Sequence, residues 1–445
     1  MKTNTVPIVA MAALCCFAFP EISRSQSLAR LSLDEAKAMA RIASPELRAA
    51  REALEGARGR ERQAGAFVNP ALAYSTERTS GAGQTNRQQI VGLEQQIEIG
   101  GQRGARRNSA ALRTRAAEAR LESARTLVDF DVARSYALAV AADRRAALAR
   151  QAAAAFTEAG RVSERRLAAG DISVYADRRL RLEAARYAAL EGEANLVRRS
   201  ARIALSALVS ASADSIGVTA AVLTDSLPIA VSHLNVAAMQ AAALRNRADY
   251  KAALLETEAL AAEARLASRD RIPTPVLSGG FKTENSAGIS ESLNGFAGGL
   301  SFPIPLWDRR RGAIQAAGAE VRRAAAERES VRRRIAREVV EAYDALAAIE
   351  QQRATLAPQL GPQSAAALRS AQVAYDEGDI TLIEWLDAVR AYHEAESAYS
   401  NLLAEFLIRR ATLERVVSAP LTALLAIQQQ LSTARDGQTL ESERD

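Results

Sequence analysis

Cysteine is almost missing from this 445-residue chain, whose two, Cys15 and Cys16, stand side by side near the start. Beyond them no thiol remains, so neither disulfides nor cysteine-held metals stabilise the body of the protein. Histidine is as scarce: His233 and His393 stand alone, and the sequence shows no metal site and no cofactor site. No nucleophile–base pair or phosphate loop appears either, which argues against an enzyme. Aromatics are only 4% and no arginine run alternates with them, so nucleic acid is not an expected partner. Long apolar runs are also lacking after the first twenty residues. No helix is therefore expected to cross a bilayer, and a membrane-spanning part must be built from strands.

The first residues read as an export signal. Lys2 supplies a positive charge, Val6 to Phe19 an apolar stretch too short to span, and Ser23, Ser25 and Ser27 small cleavage positions. We assign 1–25 to a signal peptide cut near Ser25 or Ser27. Leu14 before Cys15, and Cys15 before Cys16, do not offer the small residue that lipid attachment at a cysteine prefers.

What the chain does contain is alanine, arginine, glutamate and leucine, with 25% charged residues, the composition of long helices. It also contains one plan twice. Gly170-Asp171-Ile172 and Gly378-Asp379-Ile380 lie 378 − 170 = 208 positions apart, each between two helical runs. The glycine suits the left-handed end of one helix and the Asp is expected to cap the next. The first repeat, 31–209, reads as a helix broken at Ser44-Pro45, a β-hairpin at 70–99, a long helix, the tip at 170 and a second helix. After a linker at 210–234, the second repeat, 235–417, reads as one helix from Asn235 to Arg271, a hairpin at 275–306, a helix of roughly 70 residues, the tip at 378 and a last helix. At 1.5 Å per residue each long helix reaches about 100 Å. The tail, 418–445, is polar and expected to be partly disordered.

In the hairpins apolar residues alternate with polar or small ones. Val91, Leu93, Ile97 and Ile99 form one predicted lipid-facing row, and Phe296, Leu300, Phe302 and Ile304 the other. Four strands cannot close a barrel, and an open edge in lipid is prohibitively costly, so several copies must share one barrel.

These features resemble the TolC-like outer membrane efflux factors over about Leu31 to Val417. Ser44-Pro45-Glu46-Leu47 is similar to the family's Asn-Pro-Glu-Leu signature, and Phe302-Pro303-Ile304-Pro305-Leu306-Trp307 to its second strand-to-helix junction. Glu98 to Arg106 resembles the first junction of the heavy-metal, CzcC-like branch. The resemblance implies a mainly α fold with a small β part: a duplicated helical-barrel protomer, three of which share a twelve-stranded outer-membrane barrel continued by a periplasmic helical one. It implies a homotrimer that works with a periplasmic adaptor and an inner-membrane transporter of the RND type and conducts substrate passively, with divalent heavy-metal cations as candidates. The adaptor would meet the tips, at Arg166, Leu167, Gly170, Asp171, Gly378 and Asp379. Glu384 and Asp387, three apart on one helix face, match the family's acidic pore aperture; the first repeat has Ala176 and Arg179 there. Acids favoured at a helix start are the alternative explanation of that pair. Drug export and type I protein secretion remain open within the same class. Outside it stand a periplasmic adaptor, which would need β-rich flanks, and a soluble coiled-coil scaffold.

Overall fold

A computed structural model describes residues 29–81, 84–212, 216–218, 234–286 and 291–423. The signal segment 1–25, His233, most of the 210–234 linker and the end of the tail lie outside the described residues. The chain runs β1 (Ala29–Leu31), α1 (Leu33–Ala43), α2 (Pro45–Ala64), β2 (Ala71–Gly81), β3 (Gln84–Gln96), α3 (Gln102–Ala168) and α4 (Val174–Val209). It continues with β4 (Ile216–Val218), α5 (Val236–Asn246), α6 (Ala248–Arg269), β5 (Val276–Ser286) and β6 (Leu293–Ser301). Last come α7 (Arg311–Pro358), a π-helical turn (Gln359–Gln363), α8 (Ser364–Glu377) and α9 (Leu382–Val417).

The two halves match in backbone detail. α1 and α5 are both 11 residues long, and α4 and α9 both 36. α3 has 67 residues, and from Arg311 to Glu377 the second half also has 377 − 311 + 1 = 67. Left-handed residues recur in register: Gly101 and Arg310 before the long helices, Gly170 and Gly378 at the tips, Ser210 and Ser418 after the last helices. Each half builds an equivalent core where its short helices meet its long ones. The first packs Ala36, Ala40, Val128, Val132, Tyr136, Leu205 and Val209 together, and the second Met239, Ala242, Ile335, Val339, Leu413 and Val417. α9 serves both, lending Leu403 to one core and Phe406 to the other. Along α3 the buried positions are mostly alanine, so α4, α6 and α9 can pack closely around it, with large side chains such as Tyr136 and Phe156 between them at few levels.

Four features depart from what the sequence suggests. The helix expected from Asn235 to Arg271 is broken at Arg247, whose backbone is extended (φ −66°, ψ 123°), as Ser44 breaks the first copy (φ −57°, ψ 123°). Pro45 announces the first break; Ala248 carries no such signal. The roughly 70-residue helix is interrupted at Gln359–Gln363, because Pro358 and Pro362 have no N–H for the regular ladder. Gly361 sits there against Tyr399, and a Cβ on it would lie 3.3 Å from that ring. The linker holds a strand: β4 pairs parallel with β1, Ala29 with Ile216 and Leu31 with Val218, and Tyr136 donates to the Leu31 carbonyl at 2.7 Å.

The strands also end earlier than expected. Ile97 and Ile99 lie beyond β3, because its neighbour β5 starts at Val276, after Pro273 and Pro275, which have no N–H to offer. A single bond from Ile97 N–H to the Pro275 carbonyl, 2.9 Å, ends the pairing. Phe302 and Ile304 likewise follow β6, in a stretch where Pro303 and Pro305 preclude a ladder. The main sheet is antiparallel in the order β2-β3-β5-β6, so β3 and β5 join the repeats and β2 and β6 are its edges.

Register sorts the sheet's faces. Leu72, Leu93, Gly279 and Gly298 form one row, and Tyr74, Val91, Phe281 and Phe296 the next, all on one face. The opposite face carries the row Ala73, Gly92, Gly280 and Ala297, nearly without side chains. There β3 and β5 come so close that a Cβ on Gly92 would lie 2.7 Å from the Gly279 oxygen, and one on Gly280 would lie 2.6 Å from the Val91 oxygen. Gly92→Val should therefore force the two central strands apart, at a cost of about 1–3 kcal/mol, read as a lower unfolding midpoint of the β signal in circular dichroism.

Arg247 is 7% exposed and holds its helix break by ion pairing. It bonds Asp249 at 3.0 and 2.7 Å, Glu338 of α7 at 2.5 Å and the Val416 carbonyl of α9 at 3.4 Å. Burial acts to raise the Asp249 carboxyl, but the Arg247 bonds outweigh it and hold the pKa below the usual carboxylate value. Arg247→Met should cost about 3 kcal/mol, because Asp249 and Glu338 lose their close, buried cation and keep only the longer contacts to Arg334 at 3.6 Å. With a depressed folded-state pKa, the Asp249 contribution is present above the unfolded value of about 3.9 and is lost as pH falls below it. The variant should show a flatter acid limb than the native chain in thermal melts at pH 2–5.

Candidate functional site

Two regions of this fold carry surfaces that no contact within the protomer satisfies: the sheet and the helical tips. The sheet's apolar face is open, with Leu72, Val91, Leu93, Leu277, Leu300 and, at 92% exposure, Phe296. Phe281 and Phe296 meet edge to face at 6.0 Å. The other face is mostly small or polar, with Ser75, Lys282 and Glu284 flanking the glycine row and Ile90, Val276 and Leu293 its larger apolar residues. Of the predicted apolar row, Val91, Leu93, Phe296 and Leu300 lie in the strands on this one face, while Ile97, Ile99, Phe302 and Ile304 lie exposed just past the strand ends.

The two tips come together at the far end of the long helices. Ala152, Phe156 and Ala159 of α3 pack with Leu180 and Tyr187 of α4 and with Leu382, Leu386 and Val389 of α9. Phe156 stacks on Tyr187 with 4.1 Å between ring centres. Both turns close alike: Asp171 N–H reaches the Arg166 carbonyl at 2.9 Å, and Asp379 N–H the Ala374 carbonyl at 2.8 Å. These are six-to-one bonds around the left-handed Gly170 and Gly378. Arg166, Gly170, Asp171, Gly378 and Asp379 are exposed and Leu167 half-buried, so the predicted docking residues share one end of the molecule. Asp171 and Asp379 do not cap the next helices. Ser173 and Thr381 do, with hydroxyls accepting from Ala176 N–H at 3.2 Å and Glu384 N–H at 3.3 Å. The glycine turn places the aspartates two residues too early for that bond.

The acidic pair has two different environments. Glu384 folds back in a capping box, accepting from Thr381 N–H at 2.7 Å and from its hydroxyl at 2.9 Å. Those bonds, the backbone one foremost, hold its pKa below the ordinary glutamate value. Asp387 is free of the cap, 55% exposed, with Arg390 at 3.6 Å. Arg390 also reaches Glu183 of α4 at 3.2 Å, which ties the second tip's helix to the first tip's.

Sequence reasoning overlooked how the tips are locked. Asp177 is buried, accepting from Ser163 at 2.6 Å and from Arg181 at 2.8 Å, and the Ser163 bond leads in holding its pKa low. Its mate 208 residues on is Trp385, which donates to Gln372 at 2.8 Å and stacks on Tyr375 at 5.5 Å. The signal for both was that position 177 and position 385 differ in character although the turns around them match. His393 packs edge-on to Tyr187 at 5.9 Å, and burial lowers its pKa. Among the described residues no three His, Cys, Asp or Glu side chains are grouped to hold a metal ion, and no helix is long and apolar enough to cross a membrane.

This arrangement matches known proteins throughout its length. The chain is 27% identical over 394 residues to the cobalt-zinc-cadmium resistance protein CzcC of Cupriavidus metallidurans, covering 87% of this chain and 90% of that protein. A membrane protein of Pseudomonas aeruginosa superimposes with a TM-score of 0.70 at 21% identity, covering 94% of this chain and 99% of the other. The Campylobacter jejuni CmeC outer membrane channel superimposes with a TM-score of 0.67 at 15% identity, covering 86% of this chain and 85% of the other. The sequence profile of outer membrane efflux proteins matches both halves, residues 38–211 and 240–419, with the division falling where the repeat divides. The chain belongs to the outer membrane efflux protein family, and is an outer membrane channel protein with a long periplasmic helical part.

Proposed function

We propose that three copies of this chain close one twelve-stranded barrel and conduct divalent heavy-metal cations out of the periplasm. A periplasmic adaptor meets the tips, and an inner-membrane transporter of the RND type supplies the energy. The observation that carries this reading is the sheet: one face with an open row of aromatic and aliphatic side chains, the other mostly small or polar, and two unpaired edges. In hydrocarbon those edges must find partners, and β6 of one copy against β2 of the next satisfies them all when the ring closes. Leu72, Tyr74, Val91, Leu93, Leu277, Phe281, Phe296 and Leu300 then face lipid and the glycine row faces the lumen. The metal substrate is supported by the similarity to a cobalt-zinc-cadmium resistance protein. The chain acts as a conduit, not an enzyme, and its cargo is chosen by its partners. Asp387, exposed beside the tip, supplies the negative charge of the aperture.

Cysteines placed along the edges, at Ala73, Ser75 or Glu77 of β2 and at Gly295, Ala297 or Gly299 of β6, should form disulfide-linked trimers in outer membrane fractions. A soluble periplasmic monomer without cross-links would refute the shared barrel. Deleting the protein should lower tolerance to cobalt, zinc or cadmium; a loss confined to drug tolerance would move the cargo to drugs.

The two acids should separate in planar bilayers. Asp387→Asn is expected to reduce cation preference or raise conductance, whereas Glu384→Gln should leave both nearly unchanged and cost about 0.5–1 kcal/mol of stability through the weakened cap. Equal electrical effects from both would show that the capped carboxylate also faces the pore.

A further inference from the structure

The band between the sheet and the long helices is crowded with arginine. Three segments meet there, 60–70, 97–107 and 269–275, and 302–312 leaves the sheet beside them where Ser301 pairs with Val276; together the four hold ten arginines against four acids. That balance of +6 equals the net charge of the whole chain. Elsewhere most arginines pair with acids on the helix surfaces, as Arg332 does with Glu329 at 2.7 Å. In this band Arg106 pairs with Glu98, but Arg62, Arg103, Arg107, Arg309, Arg310 and Arg311 have no acid within ion-pair distance among the described residues.

The placement opposes the helix dipole as well. α1, α2, α4, α6 and α9 each carry an acid in the first turn. α3, α5, α7 and α8 carry none, and of these α3 and α7 begin instead with Arg103, Arg106 and with Arg311. Their N-cap residues, Gly101 and Arg310, are left-handed and give no side-chain cap, so the helix N–H groups and the guanidinium groups share one region of positive potential. Arg310 holds this conformation (φ 58°) without being a glycine. An arrangement of this kind is unfavourable by itself and becomes favourable beside an anion.

Apolar side chains lie among the arginines. Phe67, Val68, Ile97, Arg103 and Arg107 line a surface hollow of about 500 Å³, together with Gln95, Gln96 and Glu98, the last engaged by Arg106. Arg103 is fixed in it, its guanidinium 3.7 Å from the centre of the Phe67 ring and its Nε bonded to the Gly65 carbonyl at 2.6 Å. Arg103 and Arg107 also line the neighbouring hollow, where Arg58 and Arg62 join them and Glu61 is the one acid against four arginines. Ile97 continues the strand parity of Leu93, so this hollow opens onto the sheet's apolar face. Across the band, Trp307 is 92% exposed, beside Ile304 and Leu306.

We propose that this belt is a binding site for anionic phospholipid of the periplasmic leaflet. The headgroup phosphate lies between Arg62, Arg103 and Arg107, and the acyl chains run along Ile97 and the apolar face of the sheet. Charge complementarity selects the headgroup, and continuity with the membrane-facing surface selects a lipid over a soluble anion. The site rests on the membrane placement of the sheet but not on the cargo or the aperture. Edge cross-links that form normally while lipid preference is absent would overturn this proposal alone.

The test uses the purified full-length protein, delipidated in detergent. Native mass spectrometry compares the binding of phosphatidylglycerol and phosphatidylcholine with identical acyl chains. Phosphatidylglycerol should bind about tenfold more tightly, in line with the attraction of a few basic residues to an anionic leaflet. Arg62→Gln/Arg103→Gln/Arg107→Gln should abolish the preference, Arg103→Lys/Arg107→Lys should retain most of it, and Arg198→Gln/Arg199→Gln on α4 should leave it intact. Equal binding of the two lipids by the native chain would overturn the proposal, even if the triple variant fails to fold. So would an unchanged preference in a folded triple variant, or full competition by inorganic phosphate, which would make this a free-anion site.

Discussion

Every strand of the main sheet is bonded on both sides except β2 and β6, and those two open ladders constrain the molecule more than any single contact. In water an open edge is tolerable; in hydrocarbon each unpaired N–H and C=O costs several kcal/mol. The protomer therefore cannot be a finished object in a membrane. The duplication sets the terms of the solution: two hairpins joined through β3 and β5 make a four-stranded section of wall, never a ring. The Gly92–Gly280 pair brings the central strands together on the face where a closed sheet has least room. The apolar rows then need no internal partner, because the surface that a soluble protein would bury is here the surface that is used.

The repeats preserve backbone and exchange chemistry. Left-handed residues, helix lengths and the Ser44 and Arg247 breaks coincide, yet different side chains perform the equivalent task at each site. Ser44 Oγ caps α2 by accepting from Leu47 N–H at 3.1 Å, whereas Arg247 secures its break by reaching across to α7 and α9. One tip is locked by a buried carboxylate and a serine, the other by an indole and an aromatic stack. A bond network such as Ser163–Asp177–Arg181 depends on charge and direction, while Tyr375 and Trp385 depend on shape and tolerate sliding. The two tips are thus locked by different chemistry around the same turn.

Much of this was legible in the chain. The strand pairs, both tips and the duplicated order follow from periods of two and of 3.6 and from glycine placement. Three things were not. Strand ends depend on the neighbour as well as on the strand: Ile97 alternates correctly and is still outside the ladder, since Pro275 ends the partner. The break at Arg247 has no local signal, because its cause lies 91 residues away at Glu338 and 169 away at Val416. Conversely, Pro358 and Pro362 were visible, but the apolar period continues across them, and the π turn absorbs the missing bonds without ending the helix. At the tip, spacing correctly put Glu384 and Asp387 on one side of α9, but it could not show that Thr381 engages only the first.

That last distinction changes what the acidic pair can do. A carboxylate that accepts two bonds from its own N-cap is committed to starting the helix, and moving it toward a passing ion would expose the cap. Among the described residues Asp387 pairs with Arg390 alone, and Arg390 is also drawn to Glu183 on the other hairpin. One cation thus lies between an acid at the proposed aperture and an acid that ties the tips together. A shift of α9 away from α4 would lengthen the Glu183 contact and leave Arg390 to Asp387, neutralising it. In that geometry, widening the tips and reducing the negative charge at the opening are a single movement.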